Sequence, residues 1–131
     1  MAIASYTAAL SVLTRDAFPQ DWALTQNNLG VAYFDRIRGE KAENIELAIA
    51  SYTAALSVLT RDAFPEYWAQ TQNNLGEAYR KRIRGDKAEN IEVAIASFTA
   101  ALSVYTREAF PEQWDQTQNN LATAYSDRIR G

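Results

Sequence analysis

Between Pro65 and about Ile83 the apolar residues Trp68, Leu75, Ala78, Tyr79 and Ile83 return at helical spacing, which predicts a first helix. Pro65 suits the first turn and Glu66 the positive end of the helix dipole, while Arg82 and Arg84 suit its negative end. Gly85 is able to take the left-handed conformation that stops such a helix. Beyond a short turn, Ile91, Ala94, Ile95, Phe98, Ala101, Leu102 and Tyr105 form a second apolar stripe that runs on toward Phe110. Asp86 or Asn90 caps this second helix, and Phe110-Pro111 ends it and begins the next.

The same pattern recurs along the chain. Ala2-Ile3-Ala4-Ser5, Ala48-Ile49-Ala50-Ser51 and Ala94-Ile95-Ala96-Ser97 start 46 residues apart (48 − 2 and 94 − 48). Residues 2–47 and 48–93 differ at eight positions only, those of Glu66, Tyr67, Gln70, Glu77, Arg80, Lys81, Asp86 and Val93 in the second copy. Self-similarity at a fixed period of this size marks a solenoid. Copies 2–47, 48–93 and 94–131 fill residues 1–131 as one repeat domain, with no room for a separate catalytic domain or linker. The expected fold is all-α, with six helices in the order second, first, second, first, second, first.

Asn74-Leu75-Gly76-x-Ala78-Tyr79, followed by Ala94-x-x-x-Phe98-x-x-Ala101-Leu102, resembles the tetratricopeptide repeat signature, in which small residues let two antiparallel helices approach closely. Asn28 to Tyr33 with Ala48, Tyr52 and Ala55 carry a similar pattern. The usual repeat of that family is 34 residues, so each unit here is longer by 12 (46 − 34). In this the chain looks most like the long-period arrays of large bacterial signalling proteins. Ala122 departs from the pattern by standing where the other copies have Gly30 and Gly76. One extra methyl at a close crossing is expected to be accommodated by a small shift. The resemblance implies an α-solenoid of antiparallel helix pairs, a right-handed superhelix whose first helices line a concave side that holds an extended peptide or a partner helix.

The differences between copies fall on one side of the first helix. With Leu75 at zero and about 100° per residue, Trp68 lies near 20°, Tyr79 near 40° and Ala78 near −60°. By the same reckoning Glu66, Tyr67, Gln70, Glu77, Arg80 and Lys81 lie between about 140° and 280°, on the opposite face. Residues 2–19 and 48–65 are identical, so the change is concentrated on one surface rather than spread over every solvent-facing position. Carried onto this sequence, the lining implied by the resemblance is Leu24, Asn27, Val31, Phe34 and Asp35, then Gln70, Asn73, Glu77, Arg80 and Lys81, then Gln116, Asn119, Thr123, Ser126 and Asp127. Leu24, Val31 and Phe34 read as an anchor pocket, since solvent-facing apolar clusters commonly mark contacts; alternatively the preceding second helix covers them.

The recurring asparagine pairs Asn27-Asn28, Asn73-Asn74 and Asn119-Asn120 sit within the varying arc and yet do not vary. A carboxamide offers both a donor and an acceptor, suited to an extended backbone. The spacing of Asn28, Asn74 and Asn120 resembles the ladder by which some tetratricopeptide arrays clamp a main chain. Asparagine equally well satisfies polar groups between adjacent helices, and duplication alone would preserve it. Trp22, Trp68 and Trp114 fall on the buried arc and read as core. The arginines at 36, 38, 82, 84, 128 and 130 form either an anion-binding row along one rim or, more simply, charge compensation at helix ends.

Composition narrows the function further. The chain of 131 residues with 47% hydrophobic content is long enough to bury roughly two thirds of its unfolded surface. No apolar run approaches the roughly 20 residues of a membrane span, and the start lacks the pattern of a signal peptide, which points to a cytoplasmic protein. Cysteine and histidine are both absent, removing thiol nucleophiles, histidine bases and the usual zinc ligands. Carboxylate pairs such as Glu89 with Glu92 read as solvated charges, so neither an enzyme nor a cofactor or metal site is expected. A net charge of −3 disfavours nucleic acid. The chain starts with a second helix and ends with a first one, as a fragment of a longer array or a built repeat block would. Neither end has a polar cap, so head-to-tail stacking or helix exchange through Ile3, Tyr6 and Leu10 against Trp114, Leu121 and Tyr125 is expected. Two functions follow: a protein-interaction module with a groove for a peptide or helix, and a structural or engineered scaffold that associates with itself.

Overall fold

The computed structural model describes residues 2–36 and 39–130. Six helices alternate along it: α1 (Ala2–Leu10), α2 (Pro19–Asp35), α3 (Lys41–Leu56), α4 (Pro65–Lys81), α5 (Lys87–Leu102) and α6 (Pro111–Arg130). The described residues contain no strand. Met1, Arg38 and Gly131 lie outside them. Short connections fold each helix back onto its predecessor, giving an all-α solenoid of helix pairs. The first helices α2, α4 and α6 also touch one another in succession, whereas the second helices α1, α3 and α5 do not approach each other.

The proline rule places the helix starts well: Pro19, Pro65 and Pro111 each open a first helix. The ends are less simple. α4 stops at Lys81 and does not reach Ile83, which is exposed. Arg82 turns extended at the C-cap, as Arg36 does at the end of α2, and its guanidinium reaches back onto α3, donating to Glu46 Oε2 and Oε1 at 2.7 and 2.8 Å. Gly85, at φ +82°, therefore shapes the following turn rather than halting the helix itself. The two candidate caps of α5 have separate tasks. Asp86 accepts from the Ala88 amide at 2.9 Å, which makes it the N-cap. Asn90 donates to the Arg84 carbonyl at 2.9 Å and accepts from Arg82 Nη1 at 3.2 Å, tying the turn to the helix it precedes.

Arg82 is thus an interhelix brace, not a charge placed at a helix end for the dipole alone. Arg84 and Arg128 likewise pair with acids, Glu43 at 3.1 Å and Glu92 at 2.8 Å. Hydrogen bonding to Arg82 holds the Glu46 carboxyl below its ordinary range, against a smaller opposing effect of burial. Such a carboxylate contributes stability above its ordinary pKa, and the contribution disappears as pH falls through the lowered value.

The core is a run of small-to-large contacts between paired helices. Tyr52 on α3 lies across Gly30 of α2, and Phe98 on α5 lies across Gly76 of α4, so closely that a Cβ at either glycine would come within 3.0 Å of ring carbons. Ile45, Ala48 and Ala78 extend the first of these clusters, and Ile91, Ala94, Ile95 and Ala124 extend the second. Ala122, the departure from glycine in the third copy, is exposed. No second helix follows α6 among the described residues, so Ala122 has no counterpart of the Gly30 and Gly76 crossings.

Beyond Leu102 the apolar stripe continues without a helix: Tyr105 is buried in the turn and meets Phe110 edge-on at 5.5 Å. These turns also join successive repeats. Arg15 Nε donates to Ser57 Oγ at 3.2 Å, and Arg61 Nε donates to Ser103 Oγ at 3.1 Å, each reaching the end of the second helix of the next repeat. Trp22, Trp68 and Trp114 are half-buried, with Trp22 and Trp68 packed on the cores around Ala55 and Ala101. The guanidinium of Arg15 lies over Trp22 at 5.9 Å and that of Arg107 over Trp114 at 5.7 Å.

Candidate functional site

The contacting first helices leave a cleft of about 210 Å³ between their facing sides. α2 supplies Val31, Phe34 and Asp35, α4 supplies Asn73, Asn74 and Glu77, α6 supplies Gln116 and Asn120, and Tyr52 reaches in from α3. Residues 46 apart in sequence line one concavity because the same face of each first helix turns the same way.

The remaining candidate residues are placed around it. Leu24 packs on the core formed by Ala23, Ala55 and Leu59, one end of the helix away from Val31 and Phe34. It is covered from the following second helix, α3, and its connecting turn. Asn28, Gln70, Asn119, Thr123 and Ser126 are exposed outside the cleft. Arg80, Lys81 and Asp127 link neighbouring repeats: Lys81 Nζ lies 5.4 Å from the ring centre of Phe34, and Arg80 Nη1 lies 3.7 Å from Asp127 Oδ2. Lys41 covers Phe34 as well, at 5.6 Å. Part of the varying face therefore matches each repeat to its neighbour.

The asparagines form a ladder within the protein. Asn27, which is buried, accepts through Oδ1 from Thr71 Oγ1 at 3.0 Å and from Asn74 Nδ2 at 3.3 Å. One repeat on, Asn73 Oδ1 accepts from Thr117 Oγ1 at 3.2 Å and Asn120 Nδ2 at 3.3 Å. Satisfying a buried carboxamide in this way is what holds a polar group between helices without penalty. The Oδ1 atoms of Asn74 and Asn120 make no hydrogen bond among the described residues.

Tyr52 is the lining residue that periodicity alone assigns to the core and nothing more. Its ring is core, 2% exposed, but its hydroxyl makes no hydrogen bond among the described residues. Burial raises the pKa of that hydroxyl, and the nearby charges of Asp35 and Glu77 raise it further, so it remains a protonated donor. The available signal was the difference from Phe98, the same position one repeat later: a hydroxyl present in one copy and absent from the next.

Glu77 pairs loosely with Arg80 at 3.4 Å and with Lys81 at 4.0 Å. Asp35 makes no ion pair among the described residues. No group of three or more acidic side chains is placed to hold a metal among the described residues, and no described helix is long and apolar enough to cross a membrane.

A family model described as a tetratricopeptide repeat matches residues 22–63. That span runs from Trp22 on α2 through the whole of α3 to the turn before α4, most of one helix pair around the Gly30 and Tyr52 contact. Comparison with curated proteins gives no significant match, and comparison with solved structures gives none either.

Proposed function

From a chain that carries the tetratricopeptide repeat, a fold typical of protein–protein interaction modules, we propose that the facing sides of α2, α4 and α6 bind an extended segment of a partner protein. The observation that carries this reading is the cleft, where side chains from three successive repeats converge. The mutual approach of the first helices, with the second helices held apart, supports a concave inner surface on that side. The carbonyl oxygens of Asn74 and Asn120 are unused among the described residues, and a carboxamide oxygen accepts from a passing backbone amide. The wider groove of the proposal includes Asn28, Gln70, Asn119, Thr123 and Ser126 on either side of the cleft. No catalysis and no cofactor enter the reading, and a cytoplasmic setting suits it.

Replacing all of Asn28, Asn74 and Asn120 by alanine is a poor test, because two of them hold the repeats together. Val31→Trp is better. Val31 is 37% exposed and lines the cleft, so a tryptophan there fills the cavity without entering the core. Peptides captured by the parent chain on an array of extended sequences are expected to lose on the order of tenfold in affinity for the variant, one lost contact set of about 1.4 kcal/mol. Thermal unfolding should stay unchanged. Capture of no peptide by the parent chain would remove the groove.

A second reading, association of the chain with copies of itself, is supported by the junction chemistry. Arg107 and Asn119 occupy the positions of Arg15 or Arg61 and of Asn27 or Asn73, while Ser11, Thr25 and Asn28 occupy those of their partners. Ala122 works against the same docking, since Tyr6 of a second copy would meet its methyl where Tyr52 meets bare Gly30. Concentration-dependent light scattering is expected to show association, stronger for Ala122→Gly. Strict monomers of both proteins at high micromolar concentration would eliminate this reading.

A further inference from the structure

The chemistry of the cleft points to the kind of side chain it takes. Its volume of about 210 Å³ is below the range of pockets that enclose a whole small molecule, roughly 300–1,000 Å³, and suits one side chain of a bound segment. Its lining includes two carboxylates: Glu77, held loosely by Arg80 and Lys81 at 3.4 and 4.0 Å, and Asp35, which makes no ion pair among the described residues. The carboxamide oxygens of Asn74 and Asn120, unpaired among the described residues, add further acceptors.

Tyr52 adds a polar group to this wall. Its hydroxyl makes no hydrogen bond among the described residues and stays open to the cleft, so it is free to bond to an incoming polar group. The copy at Phe98 does without it, so packing alone does not require the oxygen. The phenol can donate to one acidic neighbour while its lone pairs accept from an incoming N–H. Val31 and Phe34 offer apolar wall for a methylene stem, and long basic side chains bury their stems in this manner with the charge held at the tip.

Resting on the groove reading, we propose that the cleft is the seat of a lysine or arginine side chain of the bound segment, its stem along Val31 and Phe34 and its cationic head among Asp35, Glu77 and the Tyr52 hydroxyl. A glutamate at the same place would meet two like charges, and a leucine would cover Asp35 without offering it a cation.

Degenerate extended peptide pools, alike except for a central residue fixed as lysine, arginine, glutamate or leucine, test this by fluorescence anisotropy on the full chain. The lysine and arginine pools should bind at least tenfold more tightly than the glutamate pool, by a margin that shrinks as salt is raised. Asp35→Asn with Glu77→Gln, close in shape to the parent, should abolish the discrimination, and Tyr52→Phe should weaken the basic pools several-fold while leaving the leucine pool unchanged. Equal binding of all pools, or discrimination that survives the double substitution, overturns the basic-residue assignment and leaves the groove standing. Binding by no pool overturns the groove and this assignment together.

Discussion

Phe98→Ala is expected to lower unfolding stability by about 3–5 kcal/mol, the usual effect of removing a fully buried aromatic side chain. Phe98 is 0% exposed and sits in the cluster of Ile91, Ala94, Ile95 and Ala124, with its ring directly on the backbone at Gly76. Deleting the ring removes its contacts with both first helices that flank α5 and leaves a void that rigid helices cannot close. Gly76→Ala approaches the same junction from the other side. A new Cβ would lie 2.6, 2.8 and 2.9 Å from three ring carbons, and the enclosed ring has little room to move. Overpacking of this kind costs about 1–3 kcal/mol, partly offset by the better helix propensity of alanine, about 1 kcal/mol. Denaturant unfolding of the two variants should show both less stable than the parent. Parent-like stability of Phe98→Ala would mean that the helix pair is not held together where the structure places the contact.

Asn27→Ala is expected to cost about 1–3 kcal/mol, the penalty for a buried hydrogen-bonding group that loses its partner. Asn27 Oδ1 is the shared acceptor of Thr71 and Asn74 on the next first helix, and Thr71 is completely buried. Thr25, at the same position one repeat earlier, bonds to the Asp21 carbonyl at 2.8 Å instead. If Thr71 finds the same refuge in its own helix, the cost falls at the lower end. A double-mutant cycle with Thr71→Val separates the cases: Asn27→Ala should cost less in the background that has no hydroxyl to satisfy. Equal costs in both backgrounds would show that the threonine bond contributes nothing to the coupling of repeats.

The asparagines illustrate what a single strand of letters leaves open. Their recurrence every 46 residues marked them as constrained, and the helical wheel put them on the varying side. Whether they clamp a ligand or bind the next repeat depended on side chains 44 and 47 residues away, a relation that no local periodicity contains. Leu24 shows the complementary point. It shares an angular face with Val31 and Phe34, but it lies two turns along the helix, where the neighbouring α3 and its turn approach; angle alone carried no information about depth along the stack.

Six helices, their order, the prolines that open the first helices and the small residues at their crossings follow from apolar spacing and from the repeat, because those signals act over one or two turns of a single helix. The varying face was also readable, since the two full copies differ at eight positions only and those differences stand out against a constant background. Tertiary structure alone decided which members of that face share a cleft, that Arg82 braces α3 rather than serving its own helix end, and that the Tyr52 hydroxyl opens beside Asp35 and Glu77. Each of these is set by how closely and at what offset one helix pair settles on the next, and that offset emerges only when rings such as Tyr52 and Phe98 press on bare glycine backbone.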